Sequence, residues 1–455
     1  MKTKYIISIF IFSCLMACSD SFTDLAPISQ RNAGNFYNTA SDMEVAVSAI
    51  YNTLKADGTY NQSYWVLQEL RSDNTFWDGT GLAEEITVFD KFTDIPTSNI
   101  TEAAWNDSYL GISRANIVLN RIDAIEIDAS LKSQYIGEAL FLRSLYYYHL
   151  AVGFGNIPLI LTETSSVSEG LEHTQVNADV VLNQVVTDLI SAASMLPVSY
   201  SASDVGRATR GAANTLLGKV YLTLGDNANA ATALRLVTSG GYSLVNDFAD
   251  LWGVENENNS ESIFEVEFEG GFGDQGNNFT SQFNGVLSQA VTSGQRNIPE
   301  VDLITAYEDG DARLALIDGL TEVNPWTIKY GVTNSFTDDD APNNWVVFRY
   351  ADVLLMLAEA VGEGSEGYDL INQVRARAGL APIDSSTPGS YDEKLLHERR
   401  VELAFENHRW ADLLRFGVAE SVLAAQGKSV NGRLLFAIPQ RELDLNSNFV
   451  QNPGY

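Results

Sequence analysis

Apolar residues recur at helical spacing along much of the chain, and the clearest run is Arg349–Val361. The positions i, i+3, i+4, i+7, i+8 and i+11 of this run hold Tyr350, Val353, Leu354, Leu357, Ala358 and Val361. This spacing predicts a helix with one apolar face. A helix of this kind needs a neighbour to cover that face, so the pattern predicts a fold of stacked helices.

The same periodicity predicts further helices on both sides of this run. They are Asp42–Leu54, Ala104–Ile125, Lys132–Val152, Val176–Met195, Arg210–Leu224, Asn227–Ser239, Tyr368–Ala378 and Tyr391–Gly417. Ser41 is the predicted N-cap of the first, with Glu44 completing a capping box. Ser262–Phe268 has a strand-like pattern, and residues 56–101, 270–345 and 431–455 are predicted to be mostly irregular.

One helix pair carries a repeat signature. Leu217, Gly218 and Tyr221 are followed by Ala230 and Ala233, which resembles the tetratricopeptide (TPR) pattern of leucine, glycine, tyrosine and later alanine. Glycine and alanine let antiparallel helices approach closely. The fold is therefore predicted to be mainly α, with TPR-like helix pairs, a large loop-rich part and minor β structure.

The N-terminus has the pattern of a targeting segment. Lys2 and Lys4 precede the apolar run Tyr5–Phe12, which is too short to span a membrane. Leu-Met-Ala-Cys ending at Cys18 resembles the bacterial lipobox, which predicts a signal peptide at residues 1–17 and lipidation of Cys18. Cleavage after Ala17 by an ordinary secretory route is the alternative. Residues 18–455 are predicted to form a single domain.

Both cysteines of the chain, Cys14 and Cys18, lie in this segment, so the mature body has no thiol for a disulfide or a thiolate site. The formal net charge is −31, and loss of Lys2 and Lys4 would take it to −33. Nucleic acid is excluded as a partner by this charge, because phosphate binding needs a basic surface. Acidic polysaccharides are disfavoured for the same reason.

Catalytic and metal motifs find little support. The chain has four histidines, no HExxH and no GxSxG. Glu265, Glu267 and Glu269 alternate on the predicted strand, which indicates a solvated acidic face more than a catalytic pair. Residues 338–340 are three aspartates that could bind calcium, with a solvated loop as the alternative. No catalytic residue and no metal ligand is assigned.

Aromatic residues in the polar stretches are the best binding candidates. Sugar rings have apolar faces that stack on Trp or Tyr, and their hydroxyls pair with amide, carboxylate and guanidinium groups. Such aromatics can also fix long loops to a scaffold, and this alternative stays open for each. The candidate ligand contacts are Tyr64, Trp65, Arg71, Asp73, Asn74, Trp77, Arg296, Trp326 and Trp345, with Asn297 next to Arg296.

Six runs, in order along the chain, carry a family resemblance. They are residues 137–159, 206–222, 261–266, 348–380, 398–412 and 451–455. Together they resemble the SusD/RagB family of outer-membrane nutrient-uptake lipoproteins. The resemblance implies a scaffold of about four TPR-like units, and a loop-rich side that carries ligand. It also implies a SusC-like, TonB-dependent transporter as partner. Because the family varies its ligand contacts, the resemblance assigns no individual site residue.

The resulting prediction is a non-catalytic, lipid-anchored protein on the outer face of the outer membrane. This protein is predicted to capture a glycan and deliver it to the transporter. A neutral oligosaccharide is the ligand expected first. A glycoside hydrolase on a helical scaffold is one alternative, and a peptide-capture subunit of a similar transporter is the other. The charged residues of 398–409 are interpreted as scaffold ion pairs along the surface of one helix.

Overall fold

The helices stack one after another in chain order. A computed structural model of the protein describes residues 36–77, 79, 84–201, 204–271, 275–284, 296–331 and 340–455. The main scaffold helices in these ranges are α1 (Ala40–Thr53), α2 (Asn99–Arg121), α3 (Ala129–Phe154), α4 (Ala178–Met195), α5 (Arg210–Thr223), α6 (Asn227–Thr238), α7 (Tyr350–Val361) and α8 (Ser365–Arg377). Each packs on the next. The predicted scaffold of four helix pairs is confirmed.

The TPR signature has the steric role that the sequence predicts. A Cβ atom on Gly218 of α5 would lie 2.5 Å from Cγ of Leu234 on α6, so only glycine permits this approach. Ala230 and Ala233 of α6 are buried at the same contact face. The predicted cap of α1 is wrong by two residues, because Thr39 and Asp42 form the capping box, not Ser41 and Glu44.

Four antiparallel two-stranded ladders lie outside the helical stack. Their pairs are β1 (Thr75–Phe76) with β5 (Ile298–Pro299), β2 (Ile157–Pro158) with β3 (Gln175–Val176), β4 (Ser262–Val266) with β8 (Trp345–Arg349), and β6 (Ile317–Asp318) with β7 (Trp326–Thr327). Strand β5 also lies against β7. Two of the ladders therefore lie side by side, in the order β1, β5, β7, β6.

Short helices lie between the main elements, and several of them fall in stretches predicted to be irregular. They are Ser63–Trp65, a π-helix at Val66–Leu70, Glu84–Asp90, Ile122–Ala124, Val167–Glu172, Phe248–Leu251, Val254–Asn256, Phe279–Phe283, Val301–Ala306, Ala312–Leu316, Ala419–Ala425 and Gln440–Leu445. Residues 63–75 are buried throughout. The prediction of surface loops over 56–101 is therefore wrong for this part, which is a buried connection between α1 and α2.

The predicted helix Tyr391–Gly417 is two helices, α9 (Tyr391–Leu403) and α10 (Arg409–Arg415). Phe405 and Asn407 between them have φ of 69° and 65°, a left-handed conformation that ends α9. Glu398 and Arg399 before this break pair with Arg313 and Asp352, and Arg409 after it pairs with Asp73. The prediction that these residues pair along the surface of a single helix is therefore wrong.

A buried ion-pair network holds the C-terminal elements together. Arg349 at the end of β8 donates to Glu261, Glu402 and Glu406, with N–O distances of 2.8, 2.5 and 2.7 Å. Arg313 pairs with Glu402 from the other side at 2.9 Å. Paired charges inside a protein are costly to break, because each partner left alone is a buried unpaired charge. The interpretation of these residues as scaffold contacts is supported by this geometry.

Candidate functional site

Six of the nine predicted ligand contacts are interior side chains, at most 4% exposed. They are Tyr64, Trp65, Arg71, Asp73, Asn74 and Trp345. An interior ring offers no face to a sugar, and an interior polar group already paired within the protein offers no free hydrogen bond. The expectation that these six form an accessible binding face is therefore wrong.

The two N-terminal rings of this group are packing residues. Trp65 meets the ring of Phe283 edge to face, with centroids 5.4 Å apart. The hydroxyl of Tyr64 lies 3.0 Å from Oγ of Ser108 on α2. Both rings therefore fix the buried connection to the scaffold, which is the alternative role that the sequence left open.

The polar members have partners inside the protein. Arg71 forms a fully buried ion pair with Asp94 at 3.0 Å. Asp73 accepts two hydrogen bonds from the guanidinium of Arg409, at 2.6 and 2.7 Å, and the pKa of its carboxyl is lowered although burial opposes this. Asn74 donates to Glu69 at 2.8 Å. These contacts hold the buried connection against the C-terminal helices.

Trp345 belongs to a cluster of rings in the interior. Its indole stacks on Tyr330 with centroids 5.2 Å apart and an interplanar angle of 26°. Phe279 and Phe283 meet it edge to face at 4.8 and 5.9 Å. This aromatic core lies beneath the loop-rich part and shapes it.

The three remaining candidates, Trp77, Arg296 and Trp326, are partly exposed and are brought together by the short strands. Trp77 follows β1, in which Phe76 is paired with Ile298 of β5. Arg296 lies two residues before Ile298. Trp326 begins β7, which contacts β5. Both tryptophans therefore belong to segments that contact β5.

Each of these tryptophans packs on a glycine. A Cβ atom on Gly79 would lie 2.0 Å from Cζ2 of Trp77. A Cβ atom on Gly319 would lie 2.3 Å from Cζ3 of Trp326, and Gly319 has a φ of 66°. Without a side chain beneath it, each ring lies directly on the backbone and is held in a fixed orientation. A ring fixed in advance loses little entropy when a ligand stacks on it.

Unpaired hydrogen-bonding atoms surround the same strand. Asn297 is 1% exposed, and within the described residues both atoms of its amide lack a partner. Oε1 of Gln282 is also unpaired, and the carbonyl of Gln282 accepts the Arg296 N–H at 2.6 Å. The indole N–H groups of Trp77 and Trp326 are unpaired as well. We call Trp77, Gln282, Arg296, Asn297 and Trp326 the tryptophan site.

The neighbouring charges are neutralised within the protein. Asp90 accepts a backbone hydrogen bond from Trp77, and burial raises the pKa of its carboxyl while Lys428 opposes the shift. Lys428 bridges Asp90 and Glu300 at 2.5 and 2.9 Å. The chemistry on offer at the site is thus aromatic faces, amide groups and the guanidinium of Arg296, which suits a hydroxylated ligand.

Sequence reasoning missed Gln282, Gly79 and Gly319, and named Asn297 only as a neighbour of Arg296. Gly79 comes two residues after a tryptophan, and Gly319 opens the hairpin that returns to one. Glycine this close to an aromatic residue was the available signal. No local pattern marks Gln282, because only the tertiary fold brings it beside Arg296.

The predicted acidic face of β4 is observed only in part, because Glu265 is buried. The strand ends at Val266, and its pairing with β8 is irregular between Ser262 and Glu265. Glu265 is 3% exposed, while Glu267 and Glu269 are exposed. Glu265 accepts the backbone N–H of Asn258 and the side-chain amide of Asn344 at 3.0 Å each.

No group of three or more His, Cys, Asp or Glu side chains is arranged for a metal ion in the ranges that the structure describes. Two of the aspartates proposed for calcium, 338 and 339, lie outside those ranges, as do the predicted signal peptide and Cys18. Oδ2 of Asp340 accepts the N–H of Gly271 at 2.7 Å. Among the described helices, none has the length and apolarity needed to cross a bilayer.

Comparison with known proteins agrees with this architecture. A sequence model described as "SusD family" matches residues 325–455, and one described as "Starch-binding associating with outer membrane" matches residues 22–222. A solved laminarin-binding SusD-like protein is 30% identical, with a TM-score of 0.82, over 92% of this chain and 100% of that protein. The chain belongs to the SusD family.

Other SusD relatives match over similar lengths. The SusD-like protein P2 of Formosa agariphila is 26% identical over the whole of both chains. Surface glycan-binding protein A of Bacteroides fluxus is 25% identical, with a TM-score of 0.81, over 92% of this chain and 100% of that protein. The SusD-family chain described here thus shares its complete fold with proteins named for glycan binding.

Proposed function

We propose that this SusD-family protein binds a neutral oligosaccharide at the tryptophan site, without cleaving it. One observation carries the proposal: two partly exposed indoles stand on the segments that contact β5, and the amide of Asn297, next to β5, is unpaired within the described residues. Stacked rings would hold the apolar faces of sugar units, and the amide would pair with their hydroxyls. The laminarin-binding and surface glycan-binding relatives support this class of ligand.

Affinity electrophoresis in gels that contain a polysaccharide tests the proposal. The protein is expected to be retarded by laminarin or by another neutral glycan of the panel, and not by acidic glycans. Trp77→Ala should reduce the retardation. Tyr221→Ala, which removes a partly buried ring on α5 that is remote in sequence from the site, should leave it unchanged. Equal retardation of the two variants would place binding elsewhere.

The protein is further proposed to act without catalysis. Glycoside hydrolysis needs two carboxyl groups about 5 to 10 Å apart across the ligand. At the tryptophan site, the nearby carboxylates Asp90 and Glu300 are both tied to Lys428. Incubation with a retained polysaccharide should release no new reducing ends. Their release, lost in Asp90→Asn, would favour the hydrolase alternative.

We also propose that the protein delivers the bound glycan to a SusC-like, TonB-dependent transporter. The support is family membership and the outer-membrane association in the name of one matching sequence model. Co-purification of the native protein from detergent-solubilised outer membranes should recover a large β-barrel protein. Recovery of the protein alone, under conditions that preserve other outer-membrane complexes, would contradict this part of the proposal.

Cys18 is proposed as the lipid anchor on the outer face of the outer membrane, since Leu-Met-Ala precedes it as in a lipobox. Multiple acyl chains would hold the protein stably at the membrane. Cys18→Ser should release it into the soluble fraction, whereas Cys14→Ser should not. A membrane-bound Cys18→Ser protein would show that another feature anchors it.

A further inference from the structure

Two adjoining hollows open on the surface between α1, residues 198–201 and 204–209, and β4. Their volumes are about 250 Å³ and about 420 Å³. The residues Val205, Gly206, Arg207 and Glu265 line both of them. The two hollows therefore adjoin each other at these residues, and together, as what we call the groove, they have a size that accommodates small molecules.

Gly206 lies where the two hollows adjoin. Its φ is 91°, and a Cβ atom there would lie 2.5 Å from Cγ of Glu267. A side chain at this position would collide with the strand side of the groove. Glycine thus allows the loop to approach the end of β4 closely.

The walls of the groove present three partly buried tyrosines whose hydroxyls are held by the protein. Tyr200 donates to the carbonyl of Ala208 at 3.0 Å. Tyr51 donates to Glu138 at 2.7 Å. The hydroxyl of Tyr242 lies 3.2 Å from that of Thr209. With their hydroxyls fixed, the rings are pre-organised surfaces for stacking.

The larger hollow adds mainly neutral polar groups to these rings. Its lining includes Ser199, Thr209, Asn258, Asn259, Ser260 and Ser262. Hydroxyl and amide side chains can both donate and accept hydrogen bonds, as sugar hydroxyls do. This combination of rings with neutral donors and acceptors matches a saccharide better than an anion or a purely apolar molecule.

The smaller hollow has balanced charges. Lys55 donates to the side chain of Gln275 at 2.8 Å, and burial lowers the pKa of its ammonium group. Arg207 is paired with Glu138 and Asp204 at 3.1 Å. Glu265 is held by amides, so its carboxylate can accept further hydrogen bonds from hydroxyl groups. No excess of basic groups favours an anionic ligand here.

The groove is separate from the tryptophan site. The two share no lining residue, and β4 pairs with β8, whereas β1 and β5 pair with each other. We propose that the groove is a second saccharide-binding site, for a neutral oligosaccharide. The class of ligand rests on the proposed function, but the location does not. Two sites on one rigid protein would hold a polysaccharide more tightly than either alone, because the second contact is intramolecular.

Calorimetric titration with a laminarin-derived hexasaccharide tests the second site by stoichiometry. The wild-type protein is expected to bind two molecules, and Val205→Arg one. Val205 is 48% exposed and lines both hollows, so the larger side chain fills the groove without disturbing the core. Leu236→Arg on α6 is the matched control, with 58% exposure and no place in the lining, and should still bind two.

The tryptophan site is tested in the same series. Trp77→Ala should bind one hexasaccharide, and Trp77→Ala combined with Val205→Arg should bind none. A single wild-type site that Trp77→Ala abolishes and Val205→Arg preserves would overturn the groove and leave the proposed function standing. Two sites that both survive Val205→Arg and Tyr200→Ala would also overturn it. No binding to the wild-type protein would overturn both.

Discussion

The buried side-chain amide of Asn297 lowers the stability of the protein and is a proposed ligand contact. A buried amide without partners costs about 1–3 kcal/mol of stability, and both amide atoms of Asn297 are in this state in the described structure. A ligand that supplies the missing partners would recover this free energy on binding. Groups of this kind are expected where stability has been given up for function.

Replacing Asn297 by Leu should therefore separate stability from binding. The variant is expected to melt at the same or a higher temperature than the wild-type protein, because no unpaired amide is buried. Its affinity for the glycan should fall about tenfold, which corresponds to about 1.4 kcal/mol. Calorimetry and thermal unfolding measure the two effects. A lower melting temperature with unchanged affinity would give Asn297 a purely structural role.

Gly319 should position Trp326. In Gly319→Ala, the methyl group would meet the indole, and the ring should shift and bind glycan more weakly, by roughly three- to tenfold. Gly417→Ala is the matched control, because Gly417 has a φ of 68° and open space around it. Both variants should lose about 1 kcal/mol of stability from backbone strain. Equal affinities for glycan would show that the ring position is not important.

Glu69 should make stability depend on pH. Burial raises the pKa of its carboxyl from 4.5 to about 7. The folded protein therefore keeps a proton that the unfolded chain releases, and the free energy of unfolding falls as pH rises from 4.5 to 7. Glu69→Gln should not lose stability in this way. Relative to wild type, its free energy of unfolding should therefore rise by about 2–3 kcal/mol when the pH is raised from 5 to 8. Urea unfolding of the two proteins at pH 5 and at pH 8 measures this change. A difference in free energy that is the same at both pH values would contradict the prediction.

At the scale of elements, the scaffold helices were predictable and the connections were not. Periodicity located α1 to α8 because apolar residues recur at helical spacing in each, although α3, α5 and α7 are buried on all sides over much of their length. The break between α9 and α10 has no proline or glycine to mark it. It depends on the left-handed backbone of Phe405 and Asn407, and on charges that find partners in distant segments.

Arg349 should be the strongest test of that network. Arg349→Met leaves Glu261, Glu402 and Glu406 without a buried cation that each of them contacts. The free energy of unfolding should fall by about 3–5 kcal/mol. Arg235→Met should cost at most about 1 kcal/mol, because its pair with Glu366 is more than half exposed on both sides. Denaturant unfolding of the two variants compares these losses of stability. Similar losses in both variants would contradict a structural role of the buried network.

For the whole molecule, the family and its stacked helices could be read from six sequence runs, but most of the site could not. Tyr64, Trp65 and Trp345 have the same polar neighbours as an exposed aromatic residue, and only the fold shows that they are interior. Trp77 and Trp326 lie about 250 positions apart, and two short ladders connect their segments. Long-range strand pairing of two residues leaves no periodic trace in a sequence.

The most direct test of the account is calorimetric titration of the double variant Trp77→Ala, Trp326→Ala with a laminarin-derived hexasaccharide. Removal of central aromatic contacts commonly costs 2 kcal/mol or more. The binding event at the tryptophan site should weaken at least about thirtyfold in the double variant. It should be unchanged in Tyr221→Ala. A double variant that binds every hexasaccharide with wild-type affinity would contradict glycan capture by these rings.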